Sequence, residues 1–229
     1  MANVQNRWHH LAGIFMVIAA ISTPVTRASA QDNGKRQEGE GKYAQLTALW
    51  WEWILEQPAT GNPIFDETGE DAANGQPLED VFFLAGTFGG AVTREITVPA
   101  DTALFFPLVN SSGIAPHPAP QPKKDENQVP QLRTLFAAPL IDSVIELHVT
   151  LDDGGGPISL LNSVTRIKSP VFKFTAPDED GIFDLQGTFR AVSDGYWLFL
   201  PPLPRGTYVL NFGGISDFSV NVTDIITVV

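Results

Sequence analysis

The pattern of apolar positions changes near residue 58. Before it, apolar side chains recur every three or four positions, at Tyr43, Leu46, Trp50 and Trp53. This spacing predicts an amphipathic helix over residues 43–57. Pro58 ends it, because the residue before a proline disfavours helical dihedrals. After residue 80 the apolar runs become short and are separated by turn-forming residues, which is typical of strands.

Strands are predicted along most of the remaining chain. The first runs are "VFFLAGTF", "VTREITV", "TALFFPLV" and "IELHVTLDD". Six more follow, namely "VTRIKS", "VFKFTA", "GTFRAV", "YWLFLPPL", "GTYVLNFGG" and "FSVNVTDIITVV". One short helix is expected within "LRTLFAAPLIDSV", interrupted at Pro139. Strands without regularly alternating helices predict a mainly β fold, an antiparallel β-sandwich or jelly roll with the N-terminal helix packed on a sheet.

The N-terminus predicts a signal peptide over residues 1–30. Arg7 precedes an apolar run, and the small residues of "ASA" indicate cleavage before Gln31. The apolar run Leu11–Ile21 is shorter than the roughly 20 residues of a membrane span. Residues 31–41 are polar and glycine-rich and predict a flexible leader, followed by a single domain over 42–229. We therefore expect an exported protein, periplasmic or extracellular.

Composition narrows the classes of function. The chain contains no cysteine, so disulfides, thiolate metal sites and cysteine nucleophiles are excluded. Its formal net charge is −12, and loss of Arg7 and Arg27 with the signal peptide would make it more acidic. This charge argues against nucleic acids and anionic membrane surfaces as partners.

Several blocks resemble a family of exported bacterial proteins of uncharacterised function. The blocks are "WWEWILEQP", "NPIFDETGE", "VFFLAGTFGG", "TREITVPADTALFFPLVN", "SPVFKFTAP", "SDGYWLFLPPLPRGTY" and "NFGG". Together they span nearly all of the chain after the signal peptide. The resemblance implies a secreted, β-rich single domain, and it brings no activity with it.

The tryptophan-rich helix carries the first candidate chemistry. Trp50 and Trp53 share a face while Trp51 points away from both, and apolar residues cover most of the circumference. This pattern favours a helix buried in a core over an aromatic binding platform, although Trp51 is kept as a candidate ligand contact. Glu52 and Glu56 stand four residues apart on one face, either as a solvated strip or as an acid and base pair.

An acidic, turn-rich loop follows the helix and is a candidate calcium site. Hard cations take oxygen ligands, often from an acidic loop with a glycine turn, although the spacing here is not that of an EF-hand. The candidate ligands are Asp66, Glu67, Glu70, Asp71 and Asp80.

Basic residues and histidines complete the candidates. Arg94 lies in a predicted strand, where it either clamps an anionic ligand or pairs with one of the protein's own acids, and pairing is favoured in so acidic a chain. His117 lies in a proline-rich exposed excursion over residues 111–131. His148 is expected on the solvent face of a strand. No two histidines have zinc-binding spacing.

These patterns together indicate a secreted binding or structural module, with calcium as a candidate stabilising ion. An extracellular glycan or an envelope protein is the expected partner. The alternative is an extracellular glycan-active enzyme that uses Glu52, Glu56 or Asp66 as acid and base. An enzyme needs a carboxyl of raised pKa in a concave site, whereas a module needs only an exposed surface.

Overall fold

The computed structural model describes residues 34–115 and 129–229. The predicted signal peptide and His117 lie outside these ranges. Helix α1 spans Gly34–Leu55, so it begins inside the predicted leader and ends two residues before the predicted boundary. The leader prediction was wrong from residue 34 onward, because Lys, Arg, Gln and Glu are good helix formers and outweigh the glycines. No helix in the described ranges has the length and apolar character required to cross a membrane.

Within the described residues, ten strands form two sheets. Their bounds are β1 Val81–Phe83, β2 Gly90–Val98, β3 Ala103–Ile114, β4 Glu146–Asp152, β5 Ile158–Ser159, β6 Thr165–Lys168, β7 Phe172–Ala176, β8 Gly187–Leu200, β9 Gly206–Ile215 and β10 Ser219–Val228. The first sheet has the order β1-β3-β8-β6, and β7 also pairs with β8. The second has the order β2-β10-β9-β4-β5. A π-helical turn, Arg133–Ala137, and helix α2, Ala138–Asp142, contact β3 and β8.

The expected sandwich with a packed helix is confirmed, and its core has two layers. Side chains of β3 alternate between the faces of the first sheet: Phe105 packs with the tryptophans of α1, and Phe106 packs with the second sheet. Trp50, Trp51 and Trp53 are all at most 5% exposed, which confirms the core interpretation of the helix. The first sheet is therefore buried on both faces, between α1 and the second sheet.

Two details of the strand prediction were wrong. "GTFRAV" and "YWLFL" are not separate strands but parts of the single 14-residue strand β8, because the "SDG" between them stays extended. The sheets are also not wholly antiparallel, since β1 runs parallel to β3 and β2 runs parallel to β10. The connection between β1 and β2 crosses from one sheet to the other, which allows both parallel pairings.

The loop over residues 62–76 covers one edge of each sheet, at β1 and at β2. Gly69, at φ 102°, lies against the backbone of β2 so closely that a Cβ would fall 2.1 Å from the Glu95 carbonyl oxygen. The Gln76 side chain donates to the Phe83 carbonyl at 2.9 Å and accepts from the Phe83 N–H at 2.8 Å, as a neighbouring strand would. Covering the edges in this way prevents pairing with other chains.

Candidate functional site

Three loops meet at one end of the sandwich and bring three phenylalanine rings into a row. The ring centroids of Phe65 and Phe88 lie 5.5 Å apart, and those of Phe88 and Phe183 lie 5.4 Å apart. Phe65 and Phe88 are half-buried, whereas Phe183 is 58% exposed. We call these three residues the aromatic platform. Phe183 is thus the exposed member of the group, and an exposed aromatic ring supported by further rings is a candidate binding surface.

The backbone around Phe183 is strained. Asp180, Phe183 and Asp184 have φ values of 57°, 61° and 56°, the left-handed region that side chains with a Cβ rarely adopt. Such residues cost of order 1–3 kcal/mol each and persist where the surroundings fix them, most often at functional sites. Phe183 is thus held in an exposed position although its backbone conformation is locally unfavourable.

Contacts with the loop after α1 hold the Phe183 loop in place. The Asp180 carbonyl accepts the Ala59 N–H at 2.7 Å, and its carboxylate accepts the Thr60 N–H at 2.8 Å. Hydrogen bonding to Thr60 lowers the pKa of Asp180. Gly181 bridges to Pro58, and a Cβ on Gly181 would lie 2.3 Å from the Leu185 carbonyl oxygen. Only glycine fits there.

Buried Arg94 holds the other two loops of the platform, which carry Phe65 and Phe88. Its guanidinium is 3% exposed, and it donates to the carbonyls of Pro63 and Ala85, which lie two and three residues from Phe65 and Phe88. Its Nε donates to Asp224 Oδ1 at 3.0 Å across the parallel pair of β2 and β10. Arg94 is therefore a positioning residue with its donors turned inward, and the expected pairing with an acid of this protein is confirmed.

Asp66 stabilises the turn that follows Phe65. Its carboxylate accepts from the N–H groups of Thr68, Gly69 and Asp71 at 2.8–2.9 Å. Burial acts to raise the pKa of Asp66, but these hydrogen bonds outweigh it and the pKa is lowered. Because both of its carboxylate oxygens accept hydrogen bonds, Asp66 stabilises the loop and is poorly suited to act as an acid or a base.

Asp224 is the buried acid that pairs with Arg94. It is 1% exposed, and burial raises its pKa from 3.8 to about 6, with Arg94 opposing and Asp66 adding to the rise. Arg94 is the ion-pair partner of Asp224, and the nearby Asp66 carboxylate repels Asp224, so the three groups together carry one net negative charge when all are ionised. Protonating Asp224 relieves that charge.

The Asp224 cluster gives a testable pH dependence. Because its folded pKa lies above the unfolded value, Asp224 contributes stability below about pH 4 that is lost as the pH rises through about 6. We expect the unfolding free energy of the wild type, minus that of Asp224→Asn, to fall by at most about 3 kcal/mol between pH 4 and pH 7. Urea unfolding of both proteins across this range measures it. A difference that stays constant or rises with pH would contradict the assignment.

The predicted catalytic carboxyls fall into two environments. Glu56 Oε1 accepts the Thr175 N–H at 2.9 Å at the edge of β7, while Asp66 lies in the platform loop. Burial, and then repulsion from Glu56, raises the pKa of Glu52. The structure thus keeps Glu52 and Glu56 together beside β7 and places Asp66 in the loop that covers the sheet edges.

The calcium candidates are not gathered around a common point. Asp66 accepts the backbone hydrogen bonds given above, and Asp71 Oδ1 accepts from Asn74 at 3.0 Å. The side chains of Glu67, Glu70 and Asp80 are exposed. Within residues 34–115 and 129–229, no group of three or more acidic or histidine side chains could hold a metal ion. Calcium binding stays a prediction without geometric support.

The remaining predicted contacts lie away from the platform. Trp51 is 5% exposed and packs edge-on against Trp50 at 5.3 Å, so it belongs to the core. His148 is half-buried on the outer face of the second sheet, with Nε2 at 3.2 Å from Asn221 Oδ1. The platform residues were not singled out from the sequence. The available signal was a short apolar group, Ile182, Phe183 and Leu185, among the acids and glycines of "PDEDGIFDLQG".

No protein-family model matches the chain, and no curated protein or solved structure matches it either.

Proposed function

We propose that this protein is an exported, non-catalytic binding module that holds a neutral extracellular glycan on the aromatic platform. Export rests on the signal-peptide pattern before Gln31. The observation that carries the binding role is Phe183, which is 58% exposed, held in a left-handed conformation and in edge contact with the Phe88 ring at 5.4 Å. A flat apolar ring with polar neighbours suits the C–H face and hydroxyls of a sugar.

The charge of the surrounding surface supports a neutral ligand over an acidic one. Phe183 is followed by Asp184 and preceded by three exposed acids, Asp178, Glu179 and Asp180. Carboxylates accept hydrogen bonds from sugar hydroxyls, and they repel polyanions. The net charge of −12 adds to that repulsion at longer range.

The glycan-active enzyme has less support. Glu52, on α1, has the raised pKa that a general acid requires, but its neighbour Glu56, just after the helix, accepts a hydrogen bond from the Thr175 N–H on β7. Asp66, the third catalytic candidate, already accepts four hydrogen bonds. We therefore place binding, without turnover, as the primary function.

Affinity electrophoresis tests the proposal with named polymers. A soluble β-glucan, a xylan and an α-glucan serve as neutral ligands, and alginate serves as the polyanion. We expect at least one neutral polymer to retard the wild type, and Phe183→Ala to weaken that binding about tenfold or more, which corresponds to about 1.4 kcal/mol. Phe183→Tyr, which keeps the ring, should bind like the wild type.

Ile158→Ala is the matched control, because Ile158 is 64% exposed on the edge strand β5, away from the platform. It should bind like the wild type. Absence of retardation by every neutral polymer, or unchanged affinity of Phe183→Ala, would overturn the proposal. Release of new reducing ends from a bound polymer would favour the enzyme, and Glu52→Gln would then be the variant to assay.

A further inference from the structure

The three rings of the aromatic platform do not lie in one plane. The planes of Phe65 and Phe88 are inclined by 49°, and those of Phe88 and Phe183 are inclined by 61°, so neither neighbouring pair is close to coplanar. A rigid, flat ligand surface can stack on two adjacent rings at once only when those rings are coplanar. The platform therefore does not offer two adjacent stacking faces to one flat ligand surface.

Of the three rings, only Phe183 offers a large part of its surface to solvent. It is 58% exposed, whereas Phe65 and Phe88 are half-buried. Phe88 is in edge contact with Phe183, and its loop is held by the hydrogen bond from Arg94 to the Ala85 carbonyl. Phe88 thus supports Phe183, and Phe183 is the ring that is available to stack with a ligand.

Hydrogen-bond acceptors lie close to Phe183 in the same loop. The exposed acids of this loop whose carboxylates accept no hydrogen bond described above are Asp178, Glu179 and Asp184. No basic side chain occurs between residues 177 and 187. Ionised carboxylates only accept hydrogen bonds, so they suit a ligand that carries several donors around an apolar face. A single sugar ring has this arrangement of groups.

We infer that the site takes one sugar residue of a separate glycan chain, stacked on Phe183 with its hydroxyls donating to the neighbouring carboxylates, and that it does not bind the flat faces of crystalline polysaccharides. The inference rests on the proposed function and narrows its ligand. Chains in a crystalline polysaccharide pack side by side, and their hydroxyls bond to one another. Those hydroxyls gain little by exchanging one such bond for a bond to a carboxylate of the protein.

The same geometry limits the length of glycan that contributes to binding. One exposed ring stacks with one sugar residue, so further residues of the chain add little apolar contact. A short oligosaccharide should therefore bind nearly as tightly as a longer one. A row of coplanar, exposed rings would instead gain affinity with each sugar residue added.

Titration calorimetry with oligosaccharides of graded length tests the inference. They are prepared from the neutral polymer that retards the protein in electrophoresis, from the disaccharide to the hexasaccharide. We expect the dissociation constants of the trisaccharide and the hexasaccharide to differ by less than about threefold. An insoluble crystalline polysaccharide of the same sugar and linkage, pelleted in the presence of the protein, should leave the protein in the supernatant.

Phe65→Leu distinguishes binding by one ring from binding by the whole row. Phe65 contacts Phe88 at the far side of the row from Phe183, and leucine keeps an apolar side chain there without the ring. We expect this variant to change the oligosaccharide affinity by less than about threefold, whereas Phe183→Ala should weaken it about tenfold or more.

Four results would overturn the inference while leaving glycan binding intact. They are a polymer that binds although none of its oligosaccharides does, a gain of about tenfold or more from trisaccharide to hexasaccharide, co-sedimentation with the crystalline polysaccharide, and a loss in Phe65→Leu equal to that in Phe183→Ala. Absence of binding by every neutral polymer is a different result, because it would overturn the proposed function and this inference with it.

Discussion

Replacing Arg94 with methionine is expected to lower the unfolding free energy by about 3–5 kcal/mol at pH 8, the usual cost of removing one partner from a buried ion pair. Methionine keeps much of the side-chain volume but leaves Asp224 buried without its guanidinium. It also removes the donors to the carbonyls of Pro63 and Ala85. Urea unfolding at pH 8 measures the loss.

Two comparisons separate the contribution of charge to this loss of unfolding free energy from the contribution of packing. The loss should be smaller at pH 5, where Asp224 is largely protonated, because its pKa of about 6 rises further without Arg94. The double variant Arg94→Met with Asp224→Asn should recover part of the loss, since no unpaired carboxylate remains at that position. A cost below about 1 kcal/mol at pH 8, or no coupling between the two substitutions, would contradict the assigned role.

The same variant is expected to weaken glycan binding. Arg94 holds the loops that carry Phe65 and Phe88, so its loss should loosen two of the three platform rings without touching the ligand. Affinity electrophoresis at a temperature where the variant is still folded would show this. Unchanged affinity in the folded variant would mean that Arg94 supports the fold but not the platform.

Replacing Trp50 with alanine is the second large effect, expected to cost about 3–5 kcal/mol, as for other large-to-small core substitutions. Trp50 is 1% exposed, and its ring packs against Trp197 at 5.5 Å and Trp53 at 6.2 Å. Its Nε1 donates to the Leu84 carbonyl at 2.9 Å, which alanine would leave without that donor. Thermal and urea unfolding give the free energy.

Trp50→Phe is the matched control, because it keeps an aromatic ring while removing the hydrogen bond to Leu84. It should cost clearly less than alanine. The contrary result, a loss below about 2 kcal/mol for Trp50→Ala, would mean that α1 is not packed on the first sheet as described. Since Leu84 and Ala85 are held by Trp50 and Arg94 respectively, the helix and the second sheet jointly fix the chain that leads to Phe88.

The sequence was informative wherever burial dictated the pattern. The spacing of the tryptophans indicated a core helix, and the short apolar runs indicated a sandwich. In both cases the apolar positions are the buried ones, with helical spacing in the first and strand spacing in the second. The sequence predicted that Arg94 pairs with an acid of this protein, but it did not identify that acid. The acid, Asp224, is 130 residues away, and no local pattern relates positions so distant.

The acidic loop shows why the residues of the proposed binding site were harder to find. Its carboxylates suggested calcium, but Asp66 is used to fix a backbone turn and Gly69 lies against β2. The platform depends on three loops that meet only in the folded chain. Phe183 has no periodicity around it, and its loop is held through Asp180 and Gly181, which contact Thr60 and Pro58, residues remote in sequence.

The most direct test of the account is a fluorine NMR titration with 4-fluorophenylalanine placed at position 183 alone. The neutral polymer that retards the protein in electrophoresis is added, and a second sample carries the label at position 158 on β5. We expect a saturable shift of the resonance at 183, over the concentrations at which binding occurs, and none at 158. Binding with an unmoved resonance at 183 would contradict the claim that the aromatic platform is the binding site.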